Sequence, residues 1–180
     1  MACTKCINKA TANQEELHIT ASRHGHLDCL KEALGTSPKK LMIYQALSNA
    51  IEEGHTNTSL YIIARYGCDR EGFYDLAARK ENIPVLEALL YCKCPISPRA
   101  CYEIAETGSL ITLKWLHEHG FPMDENVYIH GIISHNIDIL YYAHEHHCPF
   151  SNSVYNAAIT LNAKPQVLAF LKEIGCHGDW

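Results

Sequence analysis

Three groups of residues in this chain have types and spacings suited to chemistry. Cys3-x-x-Cys6 is spaced as half of a tetrahedral zinc site, since two thiolates so placed reach one ion. No second half is visible beside it, and a free cysteine ordinarily packs as a small apolar side chain. Cys92-x-Cys94 falls in a helix-terminal turn whose columns hold His119 and Phe121 one unit later, so space filling accounts for it. His117-Glu118-His119 and His144-Glu145-His146-His147 occupy equivalent places in successive units. Imidazoles gathered there would bind a transition metal or change charge between about pH 5 and 8. Histidine at a helix C-terminus is equally a partner for exposed carbonyls and the helix dipole, and His117 and His119 face different sides of one helix. No stretch has the form of a strained nucleophile turn, an HExxH helix or a glycine-rich phosphate loop. The expectation is a chain with no catalytic residues, no cofactor and no metal ligands, whose thermal melt a chelator leaves unchanged.

The elements that carry these residues recur at a fixed interval. ALLYCKCP ends at Pro95, WLHEHGFP at Pro122 and YAHEHHCP at Pro149, and the step is the same both times. A short constant period predicts stacked units, because one unit is too small to bury its own apolar face. In the unit from Pro98 to Pro122, proline opens a first helix through Glu106, and Cys101, Ile104 and Ala105 share one face. Thr107-Gly108-Ser109 breaks it. A second helix from about Leu110 to His119 then stops at Gly120 with Pro122 beyond. No segment alternates apolar and polar residues as a half-buried strand would. About six such units run through the chain, marked by Leu30, Leu60, Leu86, Leu113, Leu140 and Leu168, which are expected to form one buried row. Drift in the spacing is placed at turns, at Thr56-Asn57-Thr58 and Ala163-Lys164-Pro165. Glycines occupy several helix ends, and Glu81, His135, Asn162, Lys93 and His147 stand in the same columns elsewhere, so strained or rearranged turns are expected there.

Ala77 to Leu90 and Ala21 to Leu34 resemble the ankyrin repeat, with its paired small residues, its turn at Gly25-His26-Leu27 and its leucine-bearing second helix. The opening T-P-L-H is absent and the period is about six residues short of the usual 33. Units ending as Tyr66-Gly67-Cys68, Lys93-Cys94-Pro95 and His147-Cys148-Pro149 resemble the divergent ankyrin arrays of giant viruses of amoebae. The resemblance implies an all-α, ankyrin-like helical-repeat solenoid with little or no β-hairpin. It spans residues 15–180 as a single domain after an N-terminal extension at 1–14. It implies a protein partner rather than a substrate, and a host-cell cytoplasmic setting if the source is viral.

Composition narrows the partner. The 180 residues are 47% hydrophobic, enough for a core, and no apolar run approaches the roughly 18 residues of a membrane span. A net charge of −5, with basic residues scattered, argues against nucleic acid, whose binding rests on a Lys/Arg stripe. Met1 to Cys6 lacks an apolar signal core, so the nine cysteines are expected as free thiols in a reducing cytoplasm.

The residues just before each inter-helix turn, Arg23, Glu52, Arg79, Glu106, Ile133 and Thr160, are expected on the concave face with Tyr102 and His130 beside them. Alternating charge there suits a partner of complementary spacing, and it equally suits a solvated face, since exposed ion pairs contribute only about 0–1 kcal/mol. Tyr74, Tyr128 and Tyr155 match an inward column and are assigned to the core. The candidate binding residues are therefore Arg23, Glu52, Arg79, Tyr102, Glu106 and His130. The alternative is a structural component that self-associates through an uncapped C-terminal unit.

Overall fold

Most helices in this chain stop where the backbone turns left-handed, and the same two hydrogen bonds close nine of the thirteen. In the computed structural model, which describes residues 3–12 and 16–178, thirteen helices form and no strand is present among the described residues. They fall into two compact units, Met1–Ile96 and Ser97–Trp180. The first holds α1 (Thr4–Ala12) and the pairs α2 (Leu17–Arg23) with α3 (Leu27–Leu34), α4 (Lys40–Glu52) with α5 (Thr56–Tyr66), and α6 (Phe73–Arg79) with α7 (Ile83–Tyr91). The second holds α8 (Ala100–Thr107) with α9 (Leu110–Glu118), α10 (Glu125–Ile133) with α11 (Ile137–Glu145), and α12 (Asn152–Thr160) with α13 (Pro165–Glu173). The expected boundary between residues 14 and 15 lies outside the described residues, as do Asp179 and Trp180.

The stop is a Schellman motif, in which two amides past the helix reach back to orphan carbonyls. After α2, Gly25 N–H donates to Ser22 O and His26 N–H to Ala21 O. After α6, Glu81 and Asn82 donate to Ala78 O and Ala77 O in the same way. The motif needs positive φ at its first outer residue. Gly25, Gly54 and Gly120 supply it at φ 66, 75 and 84° without steric cost, whereas Glu81, His135, Asn162, Lys93 and His147 are held at 50–56°. These five turns are strained and not rearranged. A non-glycine residue there costs roughly 1–2 kcal/mol, partly offset by glycine's larger entropy loss on folding. Lys93→Gly and His135→Gly should each therefore raise stability by about 0.5–1 kcal/mol, read as a higher urea midpoint at unchanged slope.

The second outer residue of the motif turns inward to pack on the helix it closes. After α9, α11 and α13 this residue is Phe121, Cys148 and Cys176, all buried. The Cys148 thiol donates to Asp124 O at 3.2 Å and the Cys176 thiol to Ser151 O at 3.3 Å, each acceptor being the cap of the first helix in the same pair. Cys94 holds the same place after α7 and is joined to Cys68, 26 residues earlier, as a disulfide. The expectation of nine free thiols is corrected there: consecutive turns bring equivalent positions together.

Three second helices, α5, α7 and α11, open on a residue whose side chain reaches the preceding pair. Asn82 Oδ1 accepts from Val85 N–H while its Nδ2 donates to Thr56 Oγ1, 2.8 Å away. Asn136 Oδ1 accepts from Asp138 N–H and its Nδ2 donates to Gly108 O at 2.8 Å. His55 Nε2 donates to Arg23 O at 2.9 Å. Four positions past this cap, Leu30, Leu86, Leu113 and Leu140 are fully buried. The row is corrected at two places. Leu60 lies five past His55 and is half-buried, with Ser59 in the inward position, and Leu168 is half-buried beside buried Val167 and Leu171. Thr56 to Thr58 open α5 and are no turn insertion, whereas the extra residue near Ala163 does sit between a turn and its cap. Pro98 precedes α8 instead of opening it, because Ser97 Oγ already accepts from Arg99 N–H and the helix begins at Ala100. Tyr74, Tyr128, Tyr155 and Cys101 are buried as expected.

Candidate functional site

The first helices end on exposed side chains, as their position one residue before each turn requires. In the N-terminal unit Arg23, Glu52 and Arg79 are exposed, and Arg23 and Glu52 line an open cleft with Tyr44, Gln45 and Arg70. In the C-terminal unit Glu106 is exposed while Tyr102 and His130 are half-buried. His130 Nδ1 lies 3.1 Å from Glu106 Oε2 and, as the donor, holds the carboxylate. The Tyr102 ring stacks on the imidazole with centroids 5.0 Å apart. Three of the six candidate residues are thus brought into contact. Glu106 is paired with an imidazole one helix pair on.

The second helices also expose apolar side chains. Tyr91 and Ile111 are 89% and 79% exposed, and in the N-terminal unit Leu60, Pro84, Ala88 and Tyr91 line an apolar groove along α5 and α7.

The histidine group divides as expected. His119 stacks on Trp115 with its Nδ1 donating to Trp115 O at 2.7 Å, which serves a helix-end carbonyl. His117 faces the other way, its Nδ1 2.9 Å from the Tyr142 hydroxyl and its ring edge-on to His146 at 4.8 Å. Burial, and then the neighbouring His146, hold its imidazole below the usual 6.5. The proton is bound less well in the folded state than in the unfolded one, so this contact favours folding above about pH 6.5 and opposes it as pH falls.

The densest set of ligand-type atoms lies elsewhere. Cys3, Cys6, His26 and Cys29 bring three Sγ atoms and one imidazole nitrogen within 4.8 Å of one another, and among the described residues no other group of three or more metal-ligating side chains does so. The cause is local. The Cys3 carbonyl accepts the first helical bonds of α1, from Cys6 and Ile7, and His26 caps α3, its carbonyl accepting from Leu30. Cys6 and Cys29 are therefore third in their helices, and the cap and third positions of a first turn face each other. Two helix starts point at one spot. His26 Nδ1 lies 2.7 Å from Cys6 Sγ and 3.7 Å from Cys3 Sγ, and Cys3 N–H donates to Cys29 Sγ at 3.1 Å. Burial and the crowding of the other two thiols push the Cys6 thiol up to about 12, while amide donors, first that of Cys6, lower Cys3.

No protein-family model, curated protein or solved structure matches this chain. What it does is read from these side chains alone.

Nothing in their own columns marks His26 and Cys29 as metal ligands. His26 reads as one more helix cap beside His55, Asn82, Ser109 and Asn136, and Cys29 as one more inward residue beside Thr58, Val85 and Thr112. The signal that finds them is the match of His26-x-x-Cys29 to Cys3-x-x-Cys6, each starting one residue before a helix. Cys92 and Cys94 do not join such a set, since Cys94 is paired with Cys68.

Proposed function

We propose that the chain is a non-enzymatic protein-binding scaffold, an ankyrin-like helical-repeat array that takes a partner protein on its first-helix face. The observation that carries this reading is the cluster of Tyr102, His130 and Glu106, an aromatic ring, an imidazole and a carboxylate ordered on one another at the surface. Pre-ordered aromatic and charged side chains lose little entropy on binding and are what interface hot spots use. Arg23, Glu52 and Arg79 extend the same sequence columns in the other unit. The recurrence of caps and Schellman stops from one helix pair to the next supports the repeat reading. Net charge of −5 favours a protein over a nucleic acid, and no helix of the described residues is long and apolar enough to cross a membrane. The proposed setting is the cytoplasm, that of the host if the source is viral.

The test is Arg79→Glu with Glu106→Lys, measured against the partner recovered from the native cell. Each exposed change should alter stability by only about 0.5 kcal/mol, so a tenfold or larger loss of affinity is interpretable. If that double variant binds like wild type while changes at Ala88 and Tyr91 weaken binding, the partner sits on the second-helix groove instead. One observation favours a self-associating alternative: Ile159 and Leu161, at the end of α12, are 51% and 40% exposed. Light scattering that shows mass rising with concentration would select it.

A further inference from the structure

We propose that Cys3, Cys6, His26 and Cys29 bind one structural Zn2+ that fastens α1 to the α2–α3 pair. Three thiolates and an imidazole form one of the ligand sets that hold tetrahedral zinc at about 2.3 Å (S) and 2.0–2.1 Å (N), which sets the edges of the tetrahedron at about 3.6–3.8 Å. The four ligand atoms already lie within 4.8 Å of one another, and the 3.7 Å between Cys3 Sγ and His26 Nδ1 is such an edge. Cys6 Sγ, at 2.7 Å from the same nitrogen, needs to retreat by only about 1 Å. Soft sulfur with one imidazole and no carboxylate among the four selects zinc over calcium or magnesium. Four protein ligands fill the coordination sphere and leave no position for a reactive water, so the site is structural.

Two further observations point the same way. The start of α1 supplies amides to the sulfurs, those of Cys6 and Lys5 to the Cys3 thiol, and Cys3 N–H already donates to Cys29 Sγ, as the outer shell of a thiolate–metal site requires. Moreover, the described side chains of α1 bury little else. Nine residues is short for a helix to persist alone, and Cys6 is the only buried side chain among those of α1 that are described. Ile7 stays 46% exposed. A tie through Cys3 and Cys6 explains why this helix docks at all. The inference is independent of what the first-helix face binds.

The probes are Zn2+ and Co2+, given to the full, untagged chain after reduction and removal of metal. One equivalent of Zn2+ per chain is expected, with the melting temperature raised by about 10 °C over the metal-free protein. Co2+ should give the intense visible and sulfur-to-cobalt bands of a tetrahedral thiolate centre. Cys29→Ser should abolish those bands, while Cys148→Ser, a buried thiol outside the set, keeps them. Should Cys29→Ser fail to fold, hydrogen exchange on wild type decides: chelation should release the α1 amides and reloading restore them. Uptake below about 0.2 equivalent by reduced protein, bands that survive in Cys29→Ser, or α1 protection indifferent to chelation would each overturn the proposal.

Discussion

Leu113→Ala should cost about 2–5 kcal/mol, the loss of a transferred isobutyl group together with the cavity it leaves. Leu113 is fully buried four residues past the Ser109 cap of α9, and Leu116 one turn on is buried with it. Its neighbours are fixed by caps and Schellman closures, so the site collapses poorly and the upper part of that range is expected. Leu60→Ala is the control for register. Leu60 carries the same residue type in a second helix but is half-buried, because the inward position of α5 belongs to Ser59, and it should cost about 1 kcal/mol. Urea denaturation of the two variants would read the difference as separate midpoint shifts. Equal losses would mean that the buried row runs through Leu60 after all.

Gly131→Val should cost about 3 kcal/mol, for a reason that is the opposite of a cavity. Gly131 lies inside α10, where glycine weakens a helix by about 1 kcal/mol relative to alanine, so something must require it. A Cβ there would lie 2.7 Å from Leu140 Cδ1 and 2.9 Å from Ile139 Cγ2, on α11. Ile139 and Leu140 are both fully buried, and a β-branched residue cannot swing its Cγ2 aside without leaving its rotamer. Gly131→Ala should be milder, near 1 kcal/mol, since improved helix propensity offsets part of the clash. In the double variant with Leu140→Ala the two changes should be less than additive, because truncating Leu140 removes the atom at 2.7 Å. Additive losses would show that the close approach of α10 and α11 is not what makes glycine necessary.

Leu113 belongs to the part of the structure that sequence columns predict well, whereas the need for Gly131 appears only in the fold. Glu81, His135, Asn162, Lys93 and His147 were expected at awkward turns only because glycine fills their column in other pairs, and all five have positive φ. Tyr74, Tyr128 and Tyr155 were separated from the surface by the same logic. Columns fail where pairs differ in length. The step from the α3 cap, His26, to the α5 cap, His55, is one position shorter than the step from Leu30 to Leu60, so Leu60 looks equivalent to Leu30 and is out of register. They fail again where one side chain has two roles. His26 and Cys29 are fully explained as cap and core by comparison with later pairs, and only the fold reveals that the helix start facing them carries Cys3 and Cys6. Surface groupings such as Tyr102 with His130 arise between consecutive pairs, where sequence gives adjacency but not ring orientation.

The buried free thiols of the C-terminal unit have a consequence for measurement. Burial pushes the Cys101 and Cys148 thiols up to about 12 and raises Cys176, so none is a competent nucleophile while its helix pair is closed. Each becomes one only when the contact covering it opens. An alkylating reagent followed by peptide mass spectrometry would therefore time the opening at three successive seams of the C-terminal unit in the unmutated protein. The ratio of each rate to that of an unhindered thiol converts directly into a local opening free energy. The chain carries its own set of stability gauges, one at Phe121's turn through Cys101 and one at each of the turns that end in Cys148 and Cys176.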